Sequence, residues 1–188
     1  MVKYPYRQSN VVEEEKNIDY ANRGMDFENA INLSNTYYRD NDLAVIYKRP
    51  TPIHIVKVDY EHVRIKEAYF EKQSTTDYNG VYKGKYIDFE CKETKLKTSL
   101  TLYNISSHQI KHLEAVKRHG GIAFFLVYFI TLNEIYLIDA QYIIDIYHKK
   151  EKKSISIKEI KEYGYLVEQS YMPRVKYLEA IDKAYFNN

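Results

Sequence analysis

The apolar positions Phe27, Ala30, Ile31, Leu33, Tyr37 and Tyr38 recur at helical spacing. They predict a helix from Gly24 that the polar run Asp40-Asn41-Asp42 stops. Leu43 to Tyr47 reads as a short buried strand. Pro50 and Pro52 then break the chain, since neither can donate to a sheet ladder, and Ile53, Ile55 and Val58 resume as a strand. Residues 61–74 follow no single period. Residues 75–93 read as a hairpin. Ser106 opens a helix through Val116, closed by Gly120-Gly121. Ile122–Phe129 and Ile135–Asp139 are predicted strands joined by a turn near Asn133. Tyr142–Tyr147 and Lys158–Tyr163 read as helical, and Pro173 precedes a last helix with Val175, Leu178 and Ile181 on one side. There is no internal repeat. Helices and strands mixed in this way predict one α/β or α+β domain over 23–188. Ahead of it, residues 1–22 are polar, with Glu13-Glu14-Glu15 and no apolar period, and read as a flexible arm.

Composition narrows the class. A chain of 188 residues with 45% hydrophobic and 29% charged residues is long enough for one core and too apolar for wholesale disorder. Its longest apolar run, Ile122 to Ile130, is too short to span a bilayer. Met1-Val2-Lys3-Tyr4-Pro5 has no apolar stretch of the secretory kind. Cys91 is the single cysteine, so no intrachain disulfide or cysteine zinc cluster can form. A cytoplasmic protein with no membrane partner is expected. The 21 tyrosines stand beside 7 Phe and no Trp, and tyrosine suits surfaces that are half buried and half wet. Net charge is only +2, but it is uneven: residues 1–42 carry −3 and residues 43–188 carry +5. The segment 148–161 holds six lysines against two glutamates. It is either a phosphate-binding face or a solvated surface, and a charge run alone favours the second.

The chemistry concentrates in residues 75–93. From Tyr86 onward Ile87, Phe89 and Cys91 alternate with Asp88, Glu90 and Lys92, so Glu90 and Lys92 project side by side from one strand face. A two-residue turn at Lys83-Gly84 brings Asp77 opposite Glu90 and Thr75 opposite Lys92. Opposed side chains share a face about 5 Å apart. Two carboxylates that close call for a cation between them, and a lysine beside them suits a phosphate: a divalent-metal site for phosphoryl chemistry. Asn79-Gly80 is a competing turn signal that would pair Asp77 with Tyr82 and dissolve this arrangement. The later turn is preferred because it leaves two longer strands, with Asn79-Gly80 as a bulge. Charged alternation on an exposed strand would produce the same spacing by chance.

Several segments carry a resemblance: NRGMDFENAINLSNTYY from Asn22, KRPTPIHIV from Lys48, IKEAYF from Ile65, STTDYNGVYKGKYIDFECKETK from Ser74, HQIKH from His108 and HGGIAFF from His119, with Pro173-Arg174 and Tyr177 in the tail. They resemble the RecU family of Holliday junction resolvases, within the PD-(D/E)XK nuclease superfamily. The resemblance implies a restriction-endonuclease-like fold, a mixed central sheet flanked by helices, with a projecting stalk near residues 61–74. It implies metal ligands at Asp77 and Glu90, an active-site lysine at Lys92, and positions associated with the metal at Thr75 and Gln109. Ser106-Ser107-His108-Gln109 is also a capping-box sequence, which would occupy Gln109 with the helix backbone instead. The stretch between Tyr60 and Ile65 is shorter than in relatives, and Glu71-Lys72 stands where an Arg-Gln pair is common.

The expected activity is paired symmetric nicking of four-way DNA junctions in recombination and repair. Mg²⁺ is the expected cofactor, with Mn²⁺ as a substitute. The expected assembly is a homodimer, since two opposed strands must be cut, with a recombinase or branch-migration machinery as a further partner. Alternatives are a nuclease of the same superfamily on other branched or single-stranded DNA, or a non-cleaving junction-binding accessory. Arg64, Lys66 and Lys72 with the aromatics Tyr69 and Phe70 are candidate DNA contacts of the stalk; the other reading makes Tyr69 and Phe70 core residues of a strand. His108 and His112, spaced i, i+4, read as a polar helix surface rather than a metal pair. Glu28 reads either as an acid near the metal or as an exposed helix glutamate. Asp88 and Glu93 read as surface or supporting groups, and Cys91 as packing only.

Overall fold

In a computed structural model, residues 26–70 and 75–186 are described. The expected arm over 1–22 and Lys72 lie outside them. Helix α1 (Phe27–Asp40) leads into strand β1 (Val45–Lys48), then β2 (Ile53–Asp59), β3 (Arg64–Phe70), β4 (Tyr78–Tyr82), β5 (Lys85–Thr94) and β6 (Ser99–Thr101). There follow α2 (Ser107–Arg118), β7 (Ile122–Phe129), β8 (Glu134–Asp139), α3 (Ala140–Lys149), β9 (Ser154–Ser156), α4 (Ile157–Tyr163), β10 (Gly164–Val167) and α5 (Tyr177–Ile181). Six strands form one mixed sheet in the order β1-β4-β5-β7-β8-β10. Every neighbouring pair is antiparallel except β5 and β7, which run parallel. The chain crosses between those two through α2, as a parallel pair requires.

Alternation in the central strands separates two cores. Ile87 and Phe89 of β5 and Phe124 and Leu126 of β7 point to the side covered by α1 and α5, where Phe27, Ile31, Tyr177 and Ile181 meet them. Ala123, Phe125 and Val127 point to the other side, against Ile110 and Leu113 of α2 and Ile143 of α3. A sheet buried on both faces needs apolar residues at every position, which is why Ile122–Phe129 is an unbroken apolar run. The β1–β4 end of the second side is left open, with Val45, Tyr47, Val81 and Tyr86 exposed.

Three sequence expectations are corrected. Leu43–Tyr47 is not a buried strand: β1 is the sheet edge, with Ala44 and Ile46 inside and Leu43, Val45 and Tyr47 outside. Asn79-Gly80 is not a bulge, because Asn79 pairs with Asp88 and Gly80 with Ile87 in regular register. Gly80 answers to close approach instead: a Cβ there would lie 2.0 Å from the carbonyl oxygen of Val45 on β1. The stalk bounds shift too. Residues 53–70 form an antiparallel ribbon of β2 and β3, separate from the main sheet, in which Ile53 pairs with Phe70 and Asp59 with Arg64. Tyr69 and Phe70 are therefore strand residues, but exposed ones rather than core. The strand read at Ile53, Ile55 and Val58 is β2, whereas β3 escaped a reading by period because every one of its residues is exposed, so neither face is marked apolar.

Candidate metal centre

The β4–β5 hairpin turns at Lys83 (φ 48°) and Gly84 (φ 72°), the two positive φ values of a tight primed turn. That turn fixes the register from Tyr82 opposite Lys85 to Tyr78 opposite Phe89, and Asp77 follows at the level of Glu90. Glu90 pairs with Phe125 of β7 and Lys92 with Val127, so both side chains face the α2 side of the sheet.

Glu90 is 3% exposed. Its Oε1 accepts hydrogen bonds from Lys92 Nζ at 2.7 Å and from Gln109 Nε2 at 2.6 Å. Asp77 reaches across with Oδ2, which accepts from the Cys91 backbone N–H at 2.9 Å. Gln109 does two things at once: its Oε1 accepts from the Ser106 N–H at 3.0 Å, the capping box read from sequence, while its amide nitrogen holds Glu90. Burial, and then the charge of Asp77, push Glu90 up to about 7, against the pull of Lys92 and Gln109. Two buried oxygens here, Glu90 Oε2 and Thr75 Oγ1, have no hydrogen-bond partner. Buried polar atoms are rarely left so. An all-oxygen set with two carboxylates and unspent lone pairs fits a hard divalent cation such as Mg²⁺.

Beside this centre lies a cluster that the sequence reading missed. Of the two readings of Asp88, surface or supporting group, burial excludes the first, since it is fully buried. Its Oδ2 accepts from Arg49 at 2.7 Å, from the Tyr86 hydroxyl at 2.8 Å, and lies 2.8 Å from His112 Nε2; its Oδ1 accepts from Thr76 at 2.5 Å. His112 accordingly turns into the sheet and is not free helix surface. Strand alternation already placed Asp88 on the face of Glu90; the depth of its burial is set by α2, remote in sequence.

The other candidates are spread out. Arg64 and Lys66, at the ribbon's outer end, both pair with Asp59, at 3.3 and 3.0 Å. Asp59, Glu61 and His62 come close enough together there to hold an ion, but Asp59 is already engaged by Arg64, Lys66 and His62. Tyr69 stacks on His54, with ring centroids 4.9 Å apart, and Phe70 lies open to solvent. Glu28 pairs with Lys48 at 2.5 Å and is half exposed. Glu93 stays exposed and Cys91 packs against the core. In the lysine-rich segment, Lys152 pairs with Glu159 and Lys161 with Glu134.

Comparison with known proteins places the chain. A family model described as "Recombination protein U" matches residues 22–183. "Holliday junction resolvase RecU" of Geobacillus thermodenitrificans is 52% identical over 174 residues, covering 89% of this chain and 87% of that one. The protein of the same name from Streptococcus sanguinis is 52% identical over 170 residues, covering 88% and 85%. That of Streptococcus thermophilus is 49% identical over 192 residues, covering 97% of each. A solved structure of Archaeoglobus fulgidus Hjc, a Holliday junction resolvase, overlaps weakly, with a TM-score of 0.39 and 12% identity over 70% of this chain and 93% of that one. With the match spanning nearly all of the domain and about half of the residues identical, the chain belongs to the RecU family.

Proposed function

We propose that this protein is an endonuclease that resolves four-way DNA junctions by paired nicks, acting as a Mg²⁺-dependent homodimer. The observation that carries the reading is the meeting of Asp77, Glu90 and Lys92 on one sheet face around two buried, unpartnered oxygens. Relatives at about half identity over most of the chain are named as junction resolvases. Asp77 and Glu90 are the residues to hold the cation, with Thr75 as a third oxygen. When bound, a divalent cation polarises a scissile phosphate and lowers the pKa of an attacking water. Gln109, its carbonyl committed to the helix cap, keeps Glu90 in place. Lys92, 2.7 Å from Glu90, supplies a positive charge at the edge of the site, where it orients the water or stabilises charge developing on the phosphate.

The ribbon supports the choice of substrate and the dimer. An isolated two-stranded ribbon is marginal in water, and this one exposes Ile53, Ile55, Tyr69 and Phe70. Such a surface suits burial against a second copy and against the unstacked bases where four arms meet. A symmetric substrate with two strands to cut is matched by two identical sites about a two-fold axis.

The test is metal-dependent nicking of a synthetic mobile junction, with linear duplex of the same sequence as control. Symmetric nicks in opposed strands are expected in Mg²⁺, lost with EDTA and absent on duplex. Equal cutting of both substrates, or binding without cutting, would overturn the reading.

A further inference from the structure

Asp88 lies two residues before Glu90 on the same strand face and is entirely shielded from solvent. Besides Tyr86 on its own strand, its partners come from three separate segments. Thr76 stands between Thr75 and Asp77 in the stretch that enters β4. His112 is one helical turn beyond Gln109 on α2, so both residues of that helix face meet carboxylates of β5. Arg49 follows β1 directly and also donates its backbone N–H to the Asp77 carbonyl at 2.7 Å. Arg49 and Thr76 bracket the ribbon: the chain leaves for β2 just after the first and has returned from β3 just before the second.

We infer that Asp88 is a positioning residue: one buried carboxylate that anchors both roots of the β2–β3 ribbon and α2 against β5, and so sets where Thr75, Asp77 and Gln109 stand relative to Glu90. The geometry leaves Asp88 no contact with a substrate of its own, and its effect runs through Thr76, Arg49 and His112. A carboxylate is suited to the task because its two oxygens together take four donors, and a buried anion fixes donor directions that water would blur. This rests on the metal-site reading given above and adds to it the group that holds the site's parts in register.

The experiment uses the full chain without DNA and measures Mn²⁺ binding by calorimetry beside the melting temperature. Thr76→Val keeps the shape and removes the hydroxyl donor; Thr76→Ser keeps the donor. Thr76→Val and Asp88→Asn are expected to weaken Mn²⁺ binding by about tenfold or more, the scale for losing a group that supports a metal ligand. Thr76→Ser, which keeps the hydroxyl donor to Asp88, is expected to bind Mn²⁺ like wild type. A metal titration of junction cleavage should show the same shift in the half-saturating concentration. Wild-type Mn²⁺ affinity in Thr76→Val would overturn the inference, as would an equal loss in Thr76→Ser. Should Asp88→Asn not fold, the Thr76 pair decides alone. If Asp77→Ala also binds Mn²⁺ like wild type, the metal site itself is wrongly assigned, and the positioning role falls with it.

Discussion

The β4–β5 hairpin sits inside the six-stranded sheet, with Tyr78, Ile87 and Phe89 fully buried along one face. The β2–β3 ribbon has a comparable span but stands apart from that sheet and exposes every residue of β3. The first can hold carboxylates at fixed spacing because its other face is locked in a core, so Asp77, Glu90 and Lys92 inherit the rigidity of the sheet. The second has no core to lock it. What it gains is reach: apolar and aromatic side chains displayed on both sides, with cations at its outer end. On the function proposed above, the first hairpin serves chemistry and the second contact, and the structural difference between them lies in which face is buried rather than in strand pairing.

If that division holds, damage to each hairpin separates cleavage from recognition. The largest effect belongs to the sheet hairpin. Asp77→Ala and Glu90→Ala should each reduce cleavage to the level of the metal-free enzyme while junction binding in gel shifts persists. Either variant cutting at the wild-type rate in Mg²⁺ removes these residues from the site. Lys92→Ala should slow single-turnover cleavage by about 100-fold or more, the cost of losing one placed charge. Lys92→Arg should recover only part of that, since a planar guanidinium does not replace a compact ammonium.

Replacing residues 54–69 of the ribbon by a short Gly-Ser loop should leave a folded, Mn²⁺-binding protein. Its preference for junction over duplex should drop by about 10- to 100-fold, as expected when one or two bases go unstacked at about 1–3 kcal/mol each. Unchanged selectivity would make the ribbon a passive excursion.

A subtler effect concerns the cost of burying Glu90. In the metal-free protein its carboxyl stays protonated up to about pH 7 in the folded state, but gives up its proton near 4.5 when unfolded. The folded state therefore binds the extra proton between those values, and stability falls as pH rises through that window. At pH 7.5 without metal, Glu90→Gln should be more stable than wild type by up to about 3 kcal/mol, and the gain should vanish near pH 4.5. Mg²⁺ should reverse the ranking, since the glutamate holds the cation and the amide does not. Chemical denaturation at two pH values, with and without Mg²⁺, reads this directly. Least affected should be the variant with Lys149, Lys150, Lys152 and Lys153 changed to Gln. Every phosphate that a lysine neutralises adds about 0.9 to the steepness of log affinity against log salt, and Lys152 is already paired with Glu159. Junction affinity measured over a range of salt concentrations should therefore give nearly the wild-type slope, and a slope lower by about 3 or more would place the whole run on DNA.

The same contrast explains what the sequence made legible. The register of β4 and β5 follows from a local turn and an alternating pattern, so the levels of Asp77 and Glu90 could be read directly. Thr76, Arg49 and His112 could not be linked to Asp88, because they lie 12, 39 and 24 residues away and meet it only once β1 and α2 have docked. Of the ribbon, β2 was marked by Ile53, Ile55 and Val58, but β3 was invisible to periodicity, because a strand with both faces wet need carry no apolar stripe. Gly80 misled as a bulge, since a glycine demanded by a neighbouring backbone looks the same in sequence as one demanded by an irregularity in the strand.

The parallel pairing of β5 with β7 also orders events in time. Ile87 finds Ile122 across a 35-residue separation, and Glu90 finds Phe125 only after α2 has been threaded between them. Pairings that far apart must overcome loop-closure entropy before any contact repays it, so they form late. During synthesis Asp77, Glu90 and Lys92 leave the ribosome well before Gln109 and β7 do. A truncated or half-made chain thus carries Asp77, Glu90 and Lys92 without the α2 and β7 wall that holds them, and the proposed cutting activity would arrive only with the finished domain.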